Sequence, residues 1–238
     1  MPKRLKETMI RSDFHMHTAF STDSEEAVES MLNRAVERGL YSVCITDHMD
    51  ADYPPDDEMG ESAFRLDTEN YFPFLLKKKK EYEERIQVRI GIELGLQKHL
   101  GTRYETLIEK YPFDFVIGSM HLVCGEDPYT GKVFEELGDA QVYRRMFCET
   151  LECIRKIKCF DVLGHLDYVV RYGKHQAEAY SYEKFSDEID MILRELISSG
   201  KGLELNMAGI SMVLDLLIRI RVCFADIKSW RRDHHRGI

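Results

Sequence analysis

The chain has 238 residues, 44% hydrophobic and 32% charged, a composition that suits one folded α/β domain and excludes a disordered or membrane-spanning class. Its formal net charge of -9 argues against nucleic acid as the main partner, because a phosphate backbone rewards basic patches. The six cysteines form no CxxC pair and read as free thiols of a reducing compartment, and the N-terminus has no apolar run of signal-peptide length, so a cytoplasmic protein with no membrane partner is expected.

In chain order, apolar runs alternate with helical patterns. Ile10 to Asp13 leads into His15-Met16-His17, and Glu25 to Arg38 carries Ala27, Val28, Met31, Leu32, Ala35 and Val36 at helical spacing, with Ser24 as its expected start and Gly39 as its stop. Ser42 to Ile45 leads into Thr46-Asp47-His48. An acidic loop, 50–67, follows, long enough to act as a lid. A helix over Thr68 to Arg85, ending on Lys77 to Lys80, precedes Val88 to Ile92 and Glu93. A helix over Arg103 to Lys110 precedes Phe113 to Ile117, which runs into Gly118-Ser119-Met120-His121. A helix over Ala140 to Lys158, with Cys148, Cys153 and Cys159 in or beside its packed face, precedes Phe160 to Leu163 and Gly164-His165-Leu166-Asp167. Helices over Tyr182 to Ser199 and Ser211 to Val222 flank a last run, Leu203 to Leu205, which brackets Glu204 and stops at Asn206. This rhythm predicts a parallel sheet with βαβ connections, whose strands, buried on both faces, present the residues past their C-terminal ends on one side.

The residues at those strand ends are metal-binding types. His-x-His on a strand places two imidazoles on one face, and Asp13 on the same face is expected to orient one of them. Glu93 ends an apolar run, where a carboxylate is costly unless paired or coordinated. Any one of His48, His121 or His165 alone would suit an ordinary structural histidine. Five such stations in one chain are not coincidence.

Taken together, Phe14-His15-Met16-His17-Thr18, Thr46-Asp47-His48, Gly91-Ile92-Glu93, Gly118-Ser119-Met120-His121 and Gly164-His165-Leu166-Asp167 resemble the polymerase and histidinol phosphatase (PHP) family. The longer wording through Tyr168, Val169, Val170, Arg171 and Tyr172, with the Glu204-Leu205-Asn206 run, resembles its histidinol-phosphate phosphatase branch. The resemblance implies a single domain over 1–238, a distorted (β/α)7 TIM-like barrel, with two or three divalent metal ions at the C-terminal ends of its strands. It places His15, His17 and Glu93 on a first ion, Glu93, His121 and His165 on a second, and Asp23 with His48 on a third. Zn, Mn and Fe all suit such mixed ligands. Two ions about 3.5 to 4 Å apart lower the pKa of a bridging water to about 7 and clamp a phosphoryl group. The implied activity is hydrolysis of L-histidinol phosphate, a small phosphate ester, with Glu93 and His121 in the catalytic set. Arg171 is the candidate grip on phosphate, against an ordinary surface ion pair. Asp56, Asp57 and Glu58 are candidates for the substrate's amine. A related phosphoesterase acting on another ester or a nucleotide, or an inactive remnant, are the alternatives.

The C-terminus departs from the family pattern. Members end on a strand leading into a Gly-Ser-Asp-Ala-His type motif that supplies further ligands, and nothing after Asn206 reads that way; His234 and His235 follow no apolar strand. Trp230 to Ile238 and a following TGA stop can be written in codons that, read one nucleotide later, spell Gly-Gly-Glu-Ile-Ile-Thr-Glu-Gly-Ser and the start of an Asp codon. The expectation is therefore that 207–238 is a frameshifted segment and that the barrel lacks its closing strand.

Overall fold

A computed structural model describes residues 11–55, 60 and 63–204. Within it the apolar runs form strands β1 Ser12–Asp13, β2 Ser42–Ile45, β3 His48–Met49, β4 Gln87–Gly95, β5 Phe115–Ser119, β6 Val162–Leu163 and β7 Gly202–Leu203. The helices are α1 Val28–Glu37, α2 Thr68–Glu81, α3 Gly101–Lys110, α4 Lys132–Leu137, α5 Asp139–Lys156, α6 Gln176–Ala179 and α7 Ser186–Ser198. Every strand pairing is parallel, and β1, β2, β4, β5, β6 and β7 lie side by side in chain order. That order winds the sheet in one direction and gives a half-barrel, consistent with the expected distorted (β/α)7 TIM-like barrel that lacks its closing strand.

The strands at the centre are apolar throughout because both faces are covered. Val43, Cys44, Ile45, Ile92 and Leu94 are fully enclosed, and Phe147, Ile189 and Ile192 continue the same core where α5 packs on α7.

β2 and β3 are two pieces of one strand. Ile45 pairs with Ile90 and His48 with Glu93, an unchanged register, so only Thr46 and Asp47 fall between the two pieces, and the Asp47 carbonyl still accepts from Glu93 N at 3.1 Å. Two tyrosines from the surrounding helices collect the backbone groups near this interruption. The Tyr71 hydroxyl of α2 lies 3.1 Å from the Ile45 carbonyl and 3.0 Å from that of Gly91, and accepts from Asp47 N at 3.4 Å. The Tyr104 hydroxyl of α3 donates to the Gly95 carbonyl at 2.7 Å, lies 3.1 Å from that of Met49 and accepts from Ala51 N at 3.2 Å. Both rings are buried, so these hydroxyls meet the rule that buried backbone groups find partners.

Several sequence expectations need correction. α1 starts at Val28, not Glu25, because the Ser24 hydroxyl donates to the His17 carbonyl instead of capping a helix. His15 and His17 lie beyond β1, which ends at Asp13, while Glu93 sits inside β4, which runs on to Gly95. The helix expected over Tyr182 to Ser199 splits into a 3-10 turn at Tyr182–Lys184 and α7. Cys153 is buried and Cys159 packs against the core, but Cys148 is exposed. Lys78 and Lys79, at the end of α2, form ion pairs with Glu29 and Asp114. The predicted helix over Ser211 to Val222, the segment 207–238, His234, His235, and the loop residues Asp56, Asp57 and Glu58 lie outside the described residues.

Candidate metal centre

Parallel strands wound in one direction deliver their C-terminal ends to a common face, and the chemistry sits there. His15, His121 and His165 each lie two residues beyond the end of a strand, of β1, β5 and β6 respectively, and His48 opens β3. Glu93, fully buried in β4, stands between them.

The five histidines converge on the two oxygens of this one carboxylate. Glu93 Oε2 lies 3.1 Å from His15 Nε2, 3.5 Å from His17 Nε2 and 3.3 Å from His48 Nδ1. Glu93 Oε1 lies 3.1 Å from His165 Nε2 and 3.3 Å from His121 Nε2, and accepts from the Ser119 hydroxyl at 2.5 Å. Asp23, in the turn before α1, reaches His48 Nε2 at 3.5 Å. Three sets can each bring one ligand atom per residue within 4.8 Å of one another: His15, His17 and Glu93; His17, Asp23 and His48; and His48, Glu93 and His121. His17 and His48 are thus each shared between sets, and their rings stack at 4.3 Å.

A second layer fixes these rings. The fully enclosed Asp50 carboxylate takes His121 Nδ1 at 2.6 Å and lies 3.2 Å from His48 Nδ1. Glu204 Oε1 takes His15 Nδ1 at 2.6 Å, while its Oε2 accepts from His165 N at 2.9 Å. Asp47 accepts from Thr18 N, Thr18 Oγ1 and Ser21 Oγ at 2.6, 2.9 and 2.8 Å, which fixes the turn between His17 and Asp23. Two glycines make the close packing possible. A Cβ on Gly95 would stand 2.0 Å from Asp50 Oδ1, and one on Gly164 would stand 2.2 Å from Ser119 Oγ.

Burial and neighbouring charge set the protonation states. Burial opposes a charge on His15, His48 and His121, yet the surrounding carboxylates outweigh it and push each up to about 10. The same imidazoles hold Glu93 well below the usual carboxylate range, and His121 with His48 holds Asp50 low, against the burial of both. His17 goes the other way, to about 4, through burial and the charge on His48. Burial raises Asp47, against the hydrogen bonds it accepts from Thr18 and Ser21.

These residues fit divalent cations. His17 Nδ1, His48 Nδ1, His121 Nε2, His165 Nδ1 and Asp50 Oδ2 are buried without a well-aligned hydrogen-bond partner, each a cost of about 1–3 kcal/mol in an ordinary interior. Compact sets of imidazole and carboxylate donors are also what borderline transition metals take.

The remaining candidates fall less centrally. Arg171 is exposed, on a 3-10 turn at Tyr168–Tyr172, with its guanidinium 5.2 Å from the Tyr168 ring and 6.0 Å from that of Tyr172. Tyr168 in turn touches His165 and His121, at 5.0 and 5.4 Å between rings. Arg171 is therefore one ring removed from the centre. Asp13 accepts only the His15 backbone N–H, at 3.3 Å, and the expected orienting role passes to Glu204. Asp50, Glu204 and Ser119 were not among the sequence candidates. Asp50 looked like the first residue of an acidic loop, although its place two residues after His48 was a usable signal.

Comparison with known proteins decides the family. The PHP domain model matches residues 13–208. The chain belongs to the PHP family. It is 30% identical to the histidinol-phosphatase of Lactococcus lactis, over 83% of this chain and 72% of that protein, and 33% identical to a probable histidinol-phosphatase of Clostridium acetobutylicum, over 82% and 72%. The fold superposes with a TM-score of 0.76 on the crystal structure of the Lactococcus lactis histidinol phosphate phosphatase in complex with Zn, L-histidinol and phosphate, at 29% identity over 83% of this chain and 73% of that one. The structure of a putative histidinol phosphatase from Listeria monocytogenes, 19% identical, shares the fold with a TM-score of 0.70. No helix among the described residues is long and apolar enough to cross a membrane.

Proposed function

We propose that this PHP chain is a metal-dependent phosphomonoesterase that hydrolyses L-histidinol phosphate to histidinol and phosphate, a cytoplasmic step of histidine biosynthesis. The observation that carries the reading is the convergence of five imidazoles on the two oxygens of the buried Glu93. The similarity to histidinol phosphatases over four fifths of the chain supplies the substrate.

His15, His17 and Glu93 would hold one ion, and Glu93, His121 and His165 a second; Asp23 and His48, with His17 beside them, would hold a third. Bound there, divalent ions supply Lewis-acid polarisation of the phosphoryl oxygens and an activated water at neutral pH. The chain's own residues do the rest. Glu93 gives each oxygen to a different group of imidazoles, so a single side chain sets the spacing between ligand groups. Asp50 and Glu204 each take a His Nδ1, leaving Nε2 of His121 and His15 free to ligate. Arg171, held on its tyrosine face, offers a planar fork of donors for the phosphate oxygens.

The test is phosphate release from L-histidinol phosphate by the purified chain loaded with Mn or Zn, against a panel containing a nucleoside monophosphate and a sugar phosphate. Preference for L-histidinol phosphate, lost on chelation and restored by metal, is the expected result. Preference for another ester would overturn the substrate. Metal bound with no turnover on any ester would favour the remnant reading, and a frame-restored chain assayed alongside would show whether 207–238 is the cause.

A further inference from the structure

The loops above the centre hold a group of side chains that metal binding leaves unused. Asp127, half-buried after β5, accepts from the Tyr53 hydroxyl through Oδ2 at 2.5 Å and from Tyr129 N through Oδ1 at 2.9 Å. Tyr53 packs on Phe64 at 4.9 Å between rings, and Phe64 packs on His48 at 5.2 Å. On the other side Tyr168 touches His121 and His165, and the Tyr172 hydroxyl donates to that of Tyr168 at 3.1 Å. Tyr53 and Tyr168 both feel the charge of Asp127. The result is an aromatic crescent that starts on His48, ends on His121 and His165, and carries one carboxylate at its rim.

Taking the phosphatase reading above as its basis, we propose that Asp127 is the specificity-determining anion for the substrate's leaving group, receiving its ammonium while Tyr53 positions the carboxylate. Each carboxylate oxygen has two acceptor positions, and each oxygen of Asp127 spends one of them on the protein, which leaves one apiece for a cationic donor. Charge-assisted hydrogen bonds of this type are short and strong, and aromatic faces add attraction for an organic cation. Arg171 makes no carboxylate ion pair among the described residues; its guanidinium lies against the Tyr168 and Tyr172 rings, with its N–H donors left for phosphate. A phosphate ester anchored at the metal ligands through its phosphoryl group would extend its amine toward this rim. A neutral leaving group gains nothing there.

The experiment compares L-histidinol phosphate with its deamino analogue, the same imidazolylpropyl phosphate without the amine, on metal-loaded wild-type chain, Asp127→Asn and Tyr53→Phe. Calorimetric binding of L-histidinol provides a readout independent of turnover. Asp127→Asn is expected to raise KM for L-histidinol phosphate at least tenfold and weaken L-histidinol binding equally, with kcat and both constants for the analogue within twofold of wild type. Tyr53→Phe is expected to move the same constants in the same direction by a smaller factor. Equal losses on both esters, or none, would overturn the proposal while leaving the phosphatase reading intact. A wild-type chain that hydrolyses only the analogue or other esters would overturn the phosphatase reading, and with it this one. Should the wild type turn over no ester, L-histidinol binding decides: it supports the proposal if Asp127→Asn weakens it tenfold and overturns it otherwise.

Discussion

At the scale of single residues, Glu93 is the one group without a substitute, but Asp50 offers the sharper test. Its carboxylate fixes the His121 tautomer and lies against His48, and it fits only because Gly95 has no side chain. Asp50→Asn should therefore weaken divalent-metal affinity by about 10–100-fold, as expected for a partner that orients a ligand. Gly95→Ala, which displaces the same carboxylate, should act in the same direction; competitive chelator titration measures both. A second prediction concerns protons. In the metal-free centre His15, His48 and His121 are pushed up to about 10 and so hold protons at neutral pH, while His17, lowered to about 4, is already neutral. Ligation requires neutral imidazole, so metal binding must release protons and apparent affinity must rise from pH 6 to pH 9. Titration calorimetry in buffers of different ionisation enthalpy counts the released protons, and an affinity independent of pH would contradict the assignment. The histidines and Glu93 were legible in the sequence because each follows or ends an apolar run. Glu204 and Asp50 were not singled out, since acidic residues at strand ends are common and only the fold shows which imidazole each one faces.

At the scale of elements, the broken strand shows what periodicity can and cannot deliver. The runs Ser42 to Ile45 and Val88 to Ile92 announce buried parallel strands, and Thr68 and Lys110 mark helix ends that the structure reproduces. Nothing in the run itself says that the strand breaks at Thr46 and Asp47 and resumes in register, because the compensation comes from elsewhere in the fold, the Met16 carbonyl for Thr46 N and the Tyr71 hydroxyl of α2 for Asp47 N. The Tyr71 hydroxyl is a structural dependency of the site, for at the interruption Asp47 faces Thr18 and Ser21 just before His48. Tyr71→Phe leaves the Asp47 N–H without this partner, and keeps the ring in place. A loss of about 1–3 kcal/mol follows, equivalent to a melting temperature lower by about 2–4 °C per kcal/mol in a protein of this size. Differential scanning calorimetry reads it directly, and an unchanged melting temperature would mean that the hydroxyl is not needed at the break.

At the scale of the whole molecule, the half-barrel and the metal centre stabilise each other. β1 and β7 stand at opposite ends of the strand order, and no backbone ladder joins them among the described residues. The two ends are held by side chains instead: Glu204, just past β7, takes His15 from beyond β1 and the His165 backbone from beyond β6, and His15 then reaches Glu93 in β4. Ions bound to His15, His17, Glu93 and His165 would tie the same segments together, so metal should act as a cross-brace for the open curl. Binding to the folded chain alone at a free concentration one hundred times Kd adds about 2.7 kcal/mol, and at about 2–4 °C per kcal/mol the melting temperature of the loaded chain should exceed that of the chelator-stripped chain by about 5–11 °C. The Glu204→Ala variant separates the brace from mere ligation. If Glu204 serves the fold by presenting His15, its removal lowers the melting temperature of the stripped chain and also shrinks the gain on loading, because the first set of ligands is no longer oriented. If the gain on loading stays at its wild-type size in that variant, the sheet edges are held by something other than the His15 contact, and the coupling between fold and centre runs through Glu93 alone.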